Sequence, residues 1–290
     1  MTSAGRGFPW RRTAAAFAVA CGVLLGVCGS APAGTVNVIP WPASVEAEGG
    51  EMRLGPDSRI VTRQDELKPL AEVLAEEIFL LTGRRMASAT GRGKPGDIVL
   101  ELNGSLKGEA HTVRVTDTAA VSGAGCAAVA EGTATLLQLL SVEGGKAVLP
   151  RVTVTDTPHS RYRGLLVDVA RQWHSVETLR QIILLCRLYK IGQIQLHLTD
   201  DQSFTFPSTA FPQLATKGRH YSLEELRALV KFADARGVTL VPEFETPGHS
   251  SAMRRAMPEL FDSIDPATGK MRNLGVLNMA TEKMYQALDT

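Results

Sequence analysis

The chain has 290 residues, a formal net charge of +1 and a hydrophobic content of 44%. Such a length and composition are typical of a globular protein with one large domain or two smaller ones. Because the net charge is close to zero, we expect no nucleic-acid partner and no attraction to an anionic membrane surface.

The first 33 residues have the features of an export signal. Three arginines precede an apolar run from Ala14 to Gly29, and Ala31 to Ala33 offers the small residues that a signal peptidase reads. The apolar run is shorter than the roughly 20 residues that a membrane-spanning helix needs. We therefore expect a signal peptide at 1–33, export to the periplasm or the extracellular space, and no stable membrane span. A retained membrane anchor is the alternative.

The four cysteines do not indicate a disulfide framework. Cys21 and Cys28 lie within the predicted signal peptide, which leaves Cys126 and Cys186 in the mature chain. Both lie in mostly small or apolar stretches, so we expect both to be buried as small hydrophobic side chains.

Residues 36–156 have an α+β pattern, in which short strand-like runs are interleaved with helix candidates. The predicted strands include 97–102 and 111–115, and the predicted helices are 67–81 and about 127–140. Gly83 can end the first helix in the left-handed conformation. No cluster of reactive side chains is evident here, so we interpret this segment as an accessory domain that ends at a linker near Thr157 to His159.

Residues 158–290 alternate between strands and helices. The predicted strands are 164–169, 194–198 and 238–242. The first is apolar enough to be buried on both faces, and the third is also predicted to be buried. Ser175 is predicted to cap the first helix, and Ser222 with Glu225 forms a capping box at the second. This order predicts a right-handed β/α architecture, either an open sheet or an eight-fold barrel. No glycine-rich phosphate loop follows the first strand, which argues against a dinucleotide-binding fold.

Ionisable residues follow each of the three strands. They are Asp168 and Arg171 after the first, His197, Asp200 and Asp201 after the second, and Glu243, Glu245 and His249 after the third. Because the carboxyl ends of parallel strands meet at one edge, these side chains are candidates for one active site. Simpler interpretations remain for single residues. Asp168 and Arg171 could form a buried ion pair, Asp201 could cap the next turn, and Glu243 could accept hydrogen bonds from backbone amides.

The same residue types could serve a metal-dependent hydrolase, because imidazole and carboxylate groups are common metal ligands. No strand carries a His-x-His or His-x-x-x-His spacing that would place two imidazoles on one ion. We therefore expect no metal and no cofactor, and keep the metal-dependent hydrolase as an alternative.

From Val36 onwards the sequence resembles the family-20 glycoside hydrolases, the β-N-acetylhexosaminidases. The segments that carry the resemblance are YRGLLVDVAR at 162–171, YK at 189–190, HLTDD at 197–201, ARGV at 235–238 and PEFETPGH at 242–249. The resemblance implies an α/β fold class, in which an N-terminal α+β accessory domain at 36–156 is followed by the first part of a (β/α)8 TIM-type barrel at 158–290.

The resemblance also implies an activity and a set of residue roles. The activity is removal of terminal non-reducing N-acetylhexosamine residues from β-linked glycans, which contain N-acetylglucosamine or N-acetylgalactosamine, by substrate-assisted retaining catalysis. Arg163 and Glu245 are implied to bind the sugar, and Asp200 with His249 to support the catalytic acid. Asp168 and Arg171 are interpreted as structural.

Three of the departures from the family pattern bear on the site. Gln195 occupies the first position of a usual His-x-His, and Glu245 occupies the position of a usual aspartate. The family's Asp-Glu pair, which follows the fourth strand in a His-x-Gly-Gly-Asp-Glu motif, is not found. We therefore expect the chain to be a fragment or truncated product that is inactive as written. A degenerate sugar-binding or partner-binding protein is the alternative.

Overall fold

The computed structural model describes residues 36–270, 272 and 274–289. The predicted signal peptide at 1–33, with Cys21 and Cys28, lies outside these residues. The described chain divides between His159 and Ser160 into two compact units. In neither unit does a described helix combine the length and apolar character needed to cross a membrane.

The first unit is built on a mixed sheet with two helices. Its strands are β1 (Ser44–Arg53), β2 (Arg59–Thr62), β3 (Ala87–Thr90), β4 (Ile98–Leu102), β5 (His111–Val115), β6 (Ala119–Gly123), β7 (Ser141–Glu143) and β8 (Lys146–Asp156). The order is β1-β8-β5-β6-β4-β2-β3, and β7 pairs with β8. Pairing is antiparallel from β1 to β6 and parallel from β6 to β3.

The two helices of this unit are α1 (Lys68–Thr82) and α2 (Cys126–Leu139), and both were predicted to within a residue or two. Gly83 ends α1 with φ of 72°, and its N–H donates to the Phe79 carbonyl at 2.7 Å. Such a left-handed residue is the common way for a helix to end. The prediction that Cys126 is buried was wrong, because this residue is the exposed first residue of α2. Cys186 is buried as predicted.

The second unit contains a parallel sheet of three strands, in the order β11-β10-β9, with helices between consecutive strands. Its elements are β9 (Gly164–Asp168), α3 (Val176–Leu188), β10 (Gln193–His197), α4 (Leu223–Asp234), β11 (Thr239–Glu243), α5 (Ser251–Ala256), α6 (Pro258–Phe261) and α7 (Glu282–Leu288). Leu179 and Ile183 of α3 and Leu229 of α4 are buried in one cluster with Ile194 and Leu196 of β10.

Both long helices of this unit begin as predicted. The Ser175 hydroxyl accepts a hydrogen bond from the Thr178 N–H at 3.2 Å. Ser222 and Glu225 form a complete capping box, in which each side chain accepts a hydrogen bond from the backbone N–H of the other. These bonds satisfy amides that would otherwise lack a partner at the helix start.

The expectations that β9 is buried on both faces and that β11 is buried were both wrong. In β11, Leu240 and Val241 are only partly buried and Thr239 is exposed. Leu165 is 39% exposed and Leu166 is 53% exposed, whereas Ile194 and Leu196 of the central strand are buried. Apolar content predicted a strand correctly. It could not distinguish the central strand from an edge strand, because both are rich in aliphatic residues.

Candidate active site

Three ionisable side chains lie side by side where the parallel strands end. His197 at the end of β10 is in register with Asp168 of β9 on one side and with Glu243 of β11 on the other. Neighbouring strands are about 4.8 Å apart, so this register places the three side chains within contact distance. The predicted convergence at the carboxyl edge is therefore present.

Arg171 joins two of these strand ends. Its Nη1 lies 2.7 Å from Asp168 Oδ2, and its Nη2 lies 2.6 Å from Asp200 Oδ2 and 3.3 Å from His249 Nδ1. The Arg171 side chain is 46% exposed, so the predicted Asp168–Arg171 ion pair exists but is not a buried one. The guanidinium is held in place and remains accessible to a ligand.

The carboxyl group of Asp168 is kept ionised by the same contacts. Burial alone would raise the pKa of Asp168, but hydrogen bonds from the Arg171 backbone and side chain outweigh burial and lower it. The Ala170 and Arg171 N–H groups both donate to Asp168 Oδ1, at 3.1 and 2.8 Å. Asp168 therefore fixes both the backbone and the side chain of Arg171.

Asp200 is the most enclosed acidic group of the site, with a side chain 1% exposed. Its Oδ2 lies 2.8 Å from His197 Nε2, and its Oδ1 lies 3.3 Å from His249 Nδ1. The structure thus brings together Asp200 and His249, the two residues predicted to support the catalytic acid. His249 has a φ of 48° in the turn after Gly248 and is half exposed.

Glu243 contacts side chains and not the backbone amides that we considered. Gln195 Nε2 donates to Glu243 Oε2 at 2.9 Å, and His197 Nδ1 lies 3.2 Å from Glu243 Oε1. Glu245 Oε1 lies 3.8 Å from the same His197 Nδ1, and one carboxyl oxygen of each glutamate lies within 4.8 Å of the other. The carboxyl groups at 243 and 245 thus form one network with His197.

Burial and hydrogen bonding act in opposite directions on the pKa values of His197 and Glu243. Burial would lower the pKa of His197, but its hydrogen bonds to Asp200 and Glu243 outweigh burial and raise it. For Glu243, hydrogen bonds from Gln195, Glu245 and His197 outweigh burial and lower the pKa. The hydrogen bond to Glu243, aided by burial, raises the pKa of Glu245.

Arg163 lies at the other end of β9. Its Nε donates to the Lys190 carbonyl at 2.8 Å and its Nη1 to the Ser160 carbonyl at 2.6 Å, while its backbone N–H donates to Gln193 Oε1 at 3.1 Å. Arg163 precedes Asp168 by five positions, which corresponds to about 16 Å along a strand. The structure therefore does not bring Arg163 together with the other predicted site residues, and Arg171 is the arginine at the carboxyl edge.

Asp201 connects the site to the segment after β11 and does not cap its own turn. Its Oδ1 accepts a hydrogen bond from the Ser251 N–H at 3.0 Å, at the start of α5. This contact with Ser251 lowers the pKa of Asp201. Asp201 thereby ties the segment that carries His249 to the end of β10.

Two residues that the sequence did not single out hold the segment after β9. Ser203 Oγ donates to the Ala170 carbonyl, and Arg219 Nη2 donates to the carbonyls of Ala170 and Arg171 at 3.2 and 2.9 Å. Their partners are backbone atoms, so no motif in the sequence could have identified them.

Among the described residues, the site contains groups of potential metal ligands, and within each group the ligand atoms lie within 4.8 Å of one another. The groups are Asp168, His197 and Asp200, then His197, Glu243 and Glu245, and finally Asp200, Asp201 and His249. In the first and third groups, the Arg171 guanidinium already balances the carboxylate charge of Asp200 at 2.6 Å. In the second group, His197 directs Nδ1 to Glu243 and Nε2 to Asp200, so both ring nitrogens are already used. Contacts within the protein thus already balance the charge of Asp200 and occupy both ring nitrogens of His197.

Comparison with known proteins identifies the family. The description "Glycosyl hydrolase family 20, domain 2" matches residues 35–157, and "Glycosyl hydrolase family 20, catalytic domain" matches residues 161–290. The chain belongs to glycosyl hydrolase family 20. The predicted fold class, an α+β accessory domain followed by the first part of a (β/α)8 barrel, is confirmed for this family-20 chain.

Relatives of this family-20 chain are longer than the chain itself. "Beta-hexosaminidase" of Vibrio furnissii is 29% identical over 286 residues, which are 89% of this chain and 46% of that protein. "Beta-N-acetylhexosaminidase" of Cellulomonas fimi is 30% identical over 248 residues, 80% of this chain and 50% of that protein. The chain thus spans about half the length of these relatives. The solved structure of the GH20 beta-N-acetylhexosaminidase from Streptomyces coelicolor A3(2) has a TM-score of 0.78 at 27% identity and covers 90% of this chain and 57% of that one.

Proposed function

We propose that the protein removes terminal non-reducing N-acetylhexosamine residues from β-linked glycans. The observation that carries this proposal is the convergence of Arg171, Asp200 and His249 at the carboxyl edge of a family-20 barrel segment. Relatives over most of this chain are named beta-hexosaminidases, which supports the same substrate class.

In this proposal Arg171 binds hydroxyl groups of the terminal sugar. A guanidinium offers a planar fork of donors that can bond two oxygens at fixed geometry. Asp168 and Asp200 hold that fork at 2.7 and 2.6 Å, and the fork is nevertheless half exposed. Arg171 therefore takes the role that the resemblance assigned to Arg163, whose donors are used by backbone carbonyls at the opposite end of β9.

The reaction in this proposal is substrate-assisted, as the family resemblance implies. The acetamido oxygen of the sugar forms a bond to the anomeric carbon while the glycosidic C–O bond breaks, and a carboxylic acid transfers its proton to the leaving oxygen. Water then opens the oxazolinium ring and restores the acetamido group. Asp200 and His249 support the acid through hydrogen bonds and charge, while the acid itself is not assigned to a residue of this chain.

Sugar binding by the chain tests the proposal directly. We expect N-acetylglucosamine or N-acetylgalactosamine to bind in titration calorimetry and glucose to bind far more weakly. Arg171→Lys should weaken binding by about tenfold or more, because a single charged hydrogen bond contributes at least this much. Arg163→Lys is the matched control and should leave the affinity unchanged. Equal binding of glucose and N-acetylglucosamine would contradict the proposal.

We also infer that the protein is exported, on the basis of the predicted signal peptide at 1–33. Cell fractionation of a tagged full-length product checks this inference. A product that keeps residues 1–33 and stays with the cytoplasm would contradict it.

A further inference from the structure

The backbone at Arg171 is held from two directions. Asp168 Oδ1 accepts hydrogen bonds from the N–H groups of Ala170 and Arg171, at 3.1 and 2.8 Å. Arg219 Nη2 donates to the carbonyls of the same two residues, at 3.2 and 2.9 Å. Ser203 Oγ also donates to the Ala170 carbonyl. The N–H and C=O groups of both residues therefore have side-chain partners.

Arg219 reaches this backbone from a distant part of the sequence. It lies 48 positions after Arg171, in residues 198–222, which connect β10 to α4 and are called here the β10–α4 segment. The Arg219 N–H donates to the Thr216 carbonyl at 3.0 Å, and Gly218 between them has a φ of 76°. A glycine with positive φ at this place is typical of a type II turn. The backbone conformation at Arg219 is thus set by a local turn.

The β10–α4 segment is fastened on both sides of this turn. Before it, the Phe204 N–H donates to Thr216 Oγ1 and the Thr216 N–H to the Phe204 carbonyl, each at 2.9 Å. After it, the Tyr221 hydroxyl donates to the His174 carbonyl at 2.7 Å, and the buried Tyr221 ring stacks on Trp173 with centroids 4.4 Å apart. The turn that carries Arg219 is therefore held against the segment after β9.

Arg171 is fixed at both ends of its side chain. Its two Nη atoms bond to Asp168 Oδ2 at 2.7 Å and to Asp200 Oδ2 at 2.6 Å, which fixes the charged end. Its backbone is fixed by Asp168 Oδ1 and Arg219. A group that binds a ligand has to be held within about 0.5 Å of its productive position. A backbone shift would draw the guanidinium away from one of its carboxylates, so the backbone contacts contribute to the position that a ligand meets.

We propose that Arg219 is a positioning residue for sugar binding, which acts through Arg171 by holding the carbonyls of residues 170 and 171. Both bonds come from one nitrogen of Arg219, so this role needs a cationic donor at that place and not the planar fork. A charged donor makes stronger hydrogen bonds to carbonyls than a neutral one. The link to sugar binding rests on the proposed function, whereas the positioning of Arg171 does not.

The positioning role is tested without sugar by the Nε–Hε NMR signal of Arg171, identified by its loss in Arg171→Lys. Arg219→Met keeps the apolar part of the side chain and removes the donor, and we expect it to shift this signal. Arg219→Lys should leave the signal close to its position in the parent, because one ammonium group can donate to both carbonyls. Arg227→Met, at an exposed arginine of α4, is the matched control and should change nothing. A signal unmoved in Arg219→Met would overturn the proposal.

Calorimetric titration with N-acetylglucosamine tests the consequence for binding. We expect Arg219→Met to lower the affinity by about tenfold, the size expected when one charged hydrogen bond to the sugar is lost. Arg219→Lys should retain most of the affinity, in contrast to Arg171→Lys. If Arg219 acts through Arg171, adding Arg219→Met to Arg171→Lys should cause no further loss.

The possible results separate the positioning role from the proposed function. Equal affinity of Arg219→Met and the parent would mean that the contact serves the fold alone, and this would overturn the proposal. Additive losses in the double variant would contradict action through Arg171. A shifted Arg171 signal in Arg219→Met, with no sugar bound even by the parent, would support the positioning of Arg171 and refute the proposed function.

Discussion

Replacing Asp200 with asparagine tests the centre of the site, because Asp200 contacts both of its cationic partners. Its Oδ2 lies 2.6 Å from Arg171 Nη2 and 2.8 Å from His197 Nε2, and its side chain is 1% exposed. Asparagine keeps the shape and one acceptor oxygen but removes the negative charge. Both contacts thus lose the charge of their acceptor, while the Arg171 guanidinium stays charged.

The expected loss of stability follows from those two bonds. Because a charged partner adds about 1 kcal/mol to a hydrogen bond, loss of the acceptor's charge costs roughly 1 kcal/mol per bond. We expect Asp200→Asn to lower the free energy of unfolding of the unit formed by residues 160–290 by about 2 kcal/mol.

The same substitution should change the titration of His197. Asp200 is one of the groups that raise the pKa of His197 above its ordinary value of 6.5, so the variant should have a lower His197 pKa. A raised histidine pKa stabilises the fold below the unfolded pKa, and this contribution is lost as pH rises through the folded pKa. The variant should therefore lose less stability than the parent when pH is raised through that range.

Urea unfolding followed by the indole NMR signal of Trp173, together with imidazole NMR titration of His197, measures both effects. Asp234→Asn is the matched control, because Asp234 is exposed at the end of α4, and its free energy of unfolding should change by less than about 0.5 kcal/mol. An Asp200→Asn variant with unchanged stability and an unchanged His197 pKa would refute the assigned network.

Three further predictions address the arginines, a helix start and metal. Arg163→Ala should reduce stability without affecting the affinity for N-acetylglucosamine, as thermal unfolding and calorimetry will show, and a loss of affinity without a loss of stability would restore Arg163 as a sugar ligand. Ser222→Ala should lower the free energy of unfolding by about 1 kcal/mol through loss of the capping box, and urea unfolding with no change would contradict the contribution assigned to the cap. EDTA should leave sugar binding unchanged, whereas a loss that a divalent ion reverses would favour the metal-dependent hydrolase.

Much of the fold could be predicted because the decisive signals are local. Gly83, Ser175 and the Ser222–Glu225 pair end or begin helices through bonds to residues within four positions, and each acts as expected. The exposure of Leu166 and Cys126 could not be predicted in this way. Exposure depends on which strand or helix lies against a side chain, and that arrangement is set by distant parts of the chain.

The residues of the candidate site could largely be predicted from the sequence, but the contacts between them could not. Polar residues after three strands indicated the carboxyl edge, and Asp200 and His249 meet there as expected. Arg163 and Arg171 flank the same strand, and only the direction of the chain through the sheet distinguishes the end at which each arginine lies. Gln195 was noted as a departure from a motif, and its contact with Glu243 depends on the pairing of β10 with β11.

The order of charges across the site explains why each of these residues matters to the others. Acidic and basic side chains alternate from Asp168 through Arg171, Asp200 and His197 to Glu243, with contacts of 2.6 to 3.2 Å between successive members. Each group therefore sets the protonation or position of its neighbours. Because the ends of β9, β10 and β11 hold these residues side by side, a change of charge at either end of the series affects the residues at its centre. Beyond the last member, the contact with Glu243 raises the pKa of Glu245, and the Arg171 side chain near the other end is 46% exposed.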